Sequence, residues 1–155
     1  MPVSGPKNYT WHEKNSLFVG TTCWTIIVSG TSSCFLIVGG RGDSAPNTVE
    51  IVNSGFRDSY QLPKLATNRI AHTMCNNILC GGRETPDSCL MFDGKSKFTP
   101  LALKMVEKRA NHVCWSLPSG DVLLLGGLYS PQTTERISAD GSSTSADFPL
   151  PHRTE

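Results

Sequence analysis

Three glycine pairs, Gly39-Gly40, Gly81-Gly82 and Gly126-Gly127, recur every ~40–45 residues, and this spacing limits the possible folds more than any other feature. Each pair closes a short apolar run: Phe35-Leu-Ile-Val38, Ile78-Leu-Cys80 and Val122-Leu-Leu-Leu125. A polar loop follows, then a second run: Thr48-Val-Glu-Ile-Val52, Cys89-Leu-Met-Phe92 and Thr134-Glu-Arg-Ile137. Those runs end at Asn53-Ser-Gly55, Asp93-Gly94 and Asp140-Gly141, all turn formers. An Arg-x-x-His element also repeats, with Arg69 and His72 matching Arg109 and His112. Gln61-Leu-Pro-Lys-Leu65 precedes the first and Phe98-Thr-Pro-Leu101 the second. Phe148-Pro-Leu-Pro-His-Arg153 reads as the opening of a further repeat.

Each repeat holds about four short apolar runs divided by turn residues, with no helical period long enough to compete. The fold class is therefore all-β, and four short strands per ~40–50 residues is the pattern of a β-propeller blade. A glycine pair lets the backbone turn steeply and pack closely on its neighbour, because it carries no Cβ. One four-stranded blade cannot cover both of its faces, so blades must stack.

The stretch His112 through Gly127, with its apolar run into Gly-Gly after Arg-x-x-His, resembles the kelch family. The resemblance covers residues ~34–155. The Leu-Pro, Arg-x-x-His, Cys-Gly-Gly, Ser-Cys-Leu and Thr-Thr-Glu segments are most similar to a largely uncharacterised group of Cys-bearing, often secreted kelch proteins of invertebrates. The family's Tyr and Trp at set distances after the glycines are not matched: Tyr129 follows Gly127 too closely, and Trp11, Trp24 and Trp115 lie elsewhere. The resemblance implies a kelch-type β-propeller, commonly of about six blades, that acts as a protein-interaction scaffold. About three blades are present, near 34–68, 69–108 and 109–152. Three cannot close a ring of four to eight, and an open stack exposes strand edges. A fragment of a longer propeller is the favoured expectation, with closure by further blades or a second chain.

Residues 1–33 form a separate segment, read either as remnant blade strands or as a signal-like stretch. No charge falls between Lys14 and Arg41, which is long enough for a membrane span, but its Thr, Ser and Gly content argues against insertion. A signal peptide would place its apolar part at Leu17 to Val28, with Val28-Ser-Gly30 as the cleavage site. Asn8-Tyr-Thr10 is a glycosylation sequon with meaning only in the secretory lumen.

Of the 155 residues, 17% are charged and the formal net charge is +1. This excludes polybasic nucleic-acid and membrane-surface binders, whose affinity comes from one-sided charge. The six cysteines, Cys23, Cys34, Cys75, Cys80, Cys89 and Cys114, form no C-x-x-C pair and so give no zinc-ribbon signal. Their even number favours an oxidising compartment and a secreted protein; six free buried thiols are the alternative. Cys80 and Cys89 flank the loop between two expected antiparallel neighbours. A cross-strand disulfide there and simple apolar filling are equally consistent with the repeat, since Val38 and Leu125 hold the place of Cys80.

The candidate chemistry reduces mostly to structure. Arg41-Gly42-Asp43 is the integrin-binding tripeptide, but a loop after glycine favours these residues for turn geometry alone, and the other repeats lack it. Gly40 to Ala45 matches a dinucleotide fingerprint, yet Pro46 and a β-rich run follow where a helix is required. The Gly94-Lys-Ser96 segment lacks the first P-loop glycine. Arg69, His72, Arg109 and His112 recur at equivalent places and so read as structural, along with the six paired glycines. His72, Cys75 and Cys80, or His112 and Cys114, lack the spacing of a structural zinc site, so no metal or cofactor is expected.

The expected function is therefore a non-catalytic kelch-repeat scaffold for a protein partner. Binding is assigned to the loops after each glycine pair, through Arg41, Asp43, Arg83, Glu84, Tyr129 and Gln132. One alternative is a fragment of an extracellular propeller enzyme or glycan-binding protein resembling galactose oxidase. A third reading is adhesion through Arg41-Gly42-Asp43.

Overall fold

Short runs of β-branched and aliphatic residues pair across turns that glycine, asparagine and aspartate make easy. The computed structural model of the chain describes residues 24–29, 32–40, 47–53 and 59–151. Every helix or strand among them is a strand: β1 (Trp24–Ser29), β2 (Ser32–Val38), β3 (Val49–Asn53), β4 (Ser59–Leu62), β5 (Thr73–Cys75), β6 (Ile78–Cys80), β7 (Ser88–Phe92), β8 (Phe98–Lys104), β9 (Val113–Ser116), β10 (Val122–Leu125), β11 (Thr134–Ile137) and β12 (Thr144–Ala146). They form three four-stranded sheets, in which consecutive strands β1–β4, β5–β8 and β9–β12 are neighbours. All the pairings are antiparallel.

Local chemistry accounts for the turns. Asn76 and Asn77 make the two-residue link between β5 and β6, with Asn76 at φ 52, a conformation asparagine tolerates. Between β7 and β8, one Asp93 oxygen accepts the backbone N–H groups of Lys95, Ser96 and Lys97 at 2.8, 2.8 and 3.0 Å. These bonds hold the Asp93 carboxyl below its ordinary range.

The period of two sends alternate residues of each strand to opposite faces, and both faces of the second sheet are used. Leu79, Leu90, Met74 and Phe92 pack on Leu36, Val38, Val49 and Ile51 of the first sheet, with Leu65 closing that layer. Ile78, Cys80 and Cys89 face the other way, against Val122, Leu124 and Ile137 of the third sheet, with Met105 in the place of Leu65. The first strands of the sheets, β1, β5 and β9, lie side by side. The first sheet draws β1 and the start of β2 from the segment 1–33, so that segment's proposed boundary falls within β2. The architecture is thus all-β, with three antiparallel sheets stacked in a row. No closed ring forms among the described residues.

Candidate functional site

The loops that join the second and third strands of the second and third sheets rest on a repeated framework. Arg69 and Arg109 lie just ahead of β5 and β9, and both are buried. Nη1 of Arg69 donates to the carbonyls of Gly81, Thr85 and Ser88 at 2.8, 3.4 and 3.0 Å, and Nη2 to Ser88 Oγ at 2.8 Å. Arg109 repeats this at Gly126, Ser130 and Thr133, again at 2.8, 3.4 and 3.0 Å, with Nη2 on Thr133 Oγ1 at 2.8 Å. A planar guanidinium offers several donors in fixed directions, which suits a loop whose carbonyls converge. Burial lowers the Arg69 pKa to about 10, against a raising effect from Asp87, so it stays charged at neutral pH.

The two grips differ at Nε. In the third sheet Arg109 Nε meets Glu135 Oε2 at 3.4 Å, with both side chains fully enclosed. Glu135 also accepts the N–H groups of Val106 and Glu107, at 2.6 and 3.3 Å, and the Thr144 hydroxyl at 2.6 Å. Leu90 takes the corresponding place in the second sheet, opposite Leu79 as Glu135 is opposite Leu124. Arg69 Nε has no hydrogen-bond partner there.

The first two glycine pairs sit where successive sheets meet. Gly40 N–H donates to the Arg69 carbonyl and Gly82 N–H to the Arg109 carbonyl, each at 3.0 Å. A Cβ on Gly82 would come within 3.0 Å of the Ile70 carbonyl, at a φ of +116° that side chains rarely adopt. Ala71 and Asn111 occupy equivalent left-handed positions at φ 61 and 52, and Asn111 N–H donates to the Ala71 carbonyl at 2.9 Å.

The two histidines are buried in the same framework and held neutral. Burial first, then the Arg69 charge, lowers His72 to about 4. Burial, followed by the charges of Arg109 and His72, does the same to His112. His112 Nε2 and Thr73 Oγ1 are 2.7 Å apart, a hydrogen bond between adjacent sheets.

Above this framework the loops expose what sequence reasoning assigned to partner binding. Arg83 and Glu84 project from the second sheet's loop, and Tyr129 and Gln132 from the third's, all exposed. Equivalent backbone bonds, Arg83 N–H to the Ile70 carbonyl and Leu128 N–H to the Ala110 carbonyl, anchor the two loops at one end of the stack. Arg41 and Asp43, and with them the Arg41-Gly42-Asp43 tripeptide, lie outside the described residues.

Two disulfides cross this region. Cys80 is bonded to Cys89 between β6 and β7, and Cys75 to Cys114 between β5 and β9. The second bond joins two sheets and is not visible from either repeat taken alone. The places of Cys75 and Cys114 just after successive Arg-x-x-His elements were the available signal. Among the described residues, no group of three or more His, Cys, Asp or Glu side chains could hold a metal ion. A shallow cavity of about 390 Å³ lies at the opposite end of the second sheet, lined by Asn77, Met91, Phe92, Asp93 and Leu101 among others. No helix of the described residues is long and apolar enough to cross a membrane.

Among known proteins, no family model and no curated protein matches the chain.

Proposed function

We propose that the chain is a non-catalytic protein-interaction scaffold, built from kelch-type blades as part of a larger propeller of about six. One observation supports this most directly. Arg69 and Arg109 grip successive loops with matching bond lengths, while the outer side chains of those loops differ. Arg83 and Glu84 stand on one, Leu128, Tyr129 and Gln132 on the other. Rigid, repeated support beneath variable exposed side chains suits recognition, since little ordering entropy is lost on binding.

The partner is a protein, met by the paired charges of Arg83 and Glu84 and by the ring of Tyr129. Two disulfides favour an oxidising compartment, and we place the protein on the secretory route. Replacing Arg83, Glu84, Tyr129 and Gln132 together with alanine, along with Arg41 and Asp43, should abolish partner capture by crosslinking in material from the native source. The melting temperature should stay unchanged. Capture that persists would remove the loops from the binding surface.

A further inference from the structure

Among the described residues, the third sheet keeps one apolar face uncovered. Val113 and Trp115 on β9 lie opposite Leu125 and Leu123 on β10. They are 59% and 64% exposed, large values for apolar side chains on a sheet face. Val38 and Leu36 in the first sheet and Cys80 and Ile78 in the second hold the places of Leu125 and Leu123, and each of those pairs is covered by the next sheet. Leu150 completes the comparison. Its N–H donates to the Gln132 carbonyl at 2.8 Å, as those of Leu65 and Met105 donate to Asn47 and Asp87. Leu65 and Met105 are buried in the two formed layers; Leu150 is half-buried.

The glycines carry the same asymmetry. A Cβ on Gly81 would lie 2.5 Å from the Arg109 carbonyl and 2.8 Å from the His112 ring, both from the following sheet. A Cβ on Gly126 would meet only atoms of its own unit, the Pro131 carbonyl at 3.2 Å and Leu150 Cδ1 at 3.6 Å. Gly126 has the same left-handed backbone, at φ +61°, which asparagine also accepts.

We propose that the Val113–Trp115 face is a docking surface for a further four-stranded unit of this repeat, which seats its own Arg-x-x-His carbonyl and imidazole over Gly126. Gly127 N–H then donates to that arginine's carbonyl, as Gly40 and Gly82 do within the chain. The occupant follows from continuity with two formed interfaces that share the glycine-to-arginine-carbonyl bond and the same stacked apolar positions. The proposal rests on the repeat reading above but does not involve the loop tips, so partner capture and docking fail independently.

The test extends residues 1–150 with a copy of residues 66–108, which contains no tryptophan and has its Cys75 replaced by serine. Acrylamide quenching is measured, and the Trp115 share is taken from the difference against Trp115→Phe. Quenching of Trp115 should fall several-fold in the extended chain. Gly126→Asn should restore it there while leaving the unextended chain folded, with a melting temperature lowered by the same few degrees in both chains. Three results would overturn the proposal: an added copy that folds without protecting Trp115, one that stays open to hydrogen exchange, or protection that survives Gly126→Asn. Sedimentation of the unextended chain supplies the rival occupant. A dimer in which Trp115 is already protected would assign the face to a second copy instead.

Discussion

Arg109 and Glu135 are both fully enclosed, and an enclosed charge is tolerated only when its partner and its remaining hydrogen bonds are supplied. Here the loop carbonyls satisfy the guanidinium, and the backbone between β8 and β9 satisfies the carboxylate. Each ion thereby fastens a different connection to the third sheet. The neutral histidines have a different consequence. His72 and His112 are lowered from the ordinary 6.5 to about 4, so the unfolded chain takes up protons that the folded one refuses. Stability should be full above pH 6.5, decline as pH falls towards about 4, and gain no further histidine penalty below that. Asp93 and Asp140, held low by turn N–H groups, add a separate loss only at more acid pH, as they become protonated. Urea midpoints measured from pH 7 to pH 4 check this; a flat profile over that range would mean the imidazoles are not held neutral.

At the scale of strands and their links, the two disulfides do unequal work. Cys80–Cys89 closes a separation of 9 residues within one sheet, and Cys75–Cys114 one of 39 residues between two. Loop-closure entropy gives about 2.7 kcal/mol for the shorter and about 4 kcal/mol for the longer. Cys75→Ala with Cys114→Ala should therefore lower the unfolding free energy more than the Cys80→Ala, Cys89→Ala pair. Graded reduction with alkylation and peptide mass spectrometry should open the half-exposed Cys75–Cys114 bond first, since Cys80 and Cys89 are each 1% exposed. Equal labelling of both pairs would contradict that order. Much at this scale was legible in the sequence. The runs ending in glycine pairs became β2, β6 and β10, and the polar turns separated strands as their residues require. What was not legible depended on contact between repeats. The Cys75–Cys114 bond, the enclosure of Glu135 and the left-handed Ala71 are all set by a neighbouring unit or connection, and no local pattern announces them.

Across the whole molecule, stability is shared between neighbours, with the second sheet covered on both faces and the third on one. Amides of β6 and β7 should exchange with solvent slower than those of β9 and β12 by roughly an order of magnitude or more. Hydrogen exchange read by NMR decides this, and uniform rates through the second and third sheets would show that the uncovered face costs nothing locally. The tips of the loops were assigned from the sequence by exclusion: what does not repeat and is polar is left for solvent. For Arg83, Glu84, Tyr129 and Gln132 exposure agrees with that logic, while the identity of a partner leaves no periodic trace to read. The first two sheets also have a direction, because each turns its later face to the sheet that follows in the chain. On the ribosome the chain emerges in that same order. Each of these two sheets must then wait, with its apolar side bare, until roughly forty more residues have been made. At a synthesis rate of about 5–20 residues per second, that interval lasts seconds, long enough for a chaperone to bind the newest sheet before its successor does.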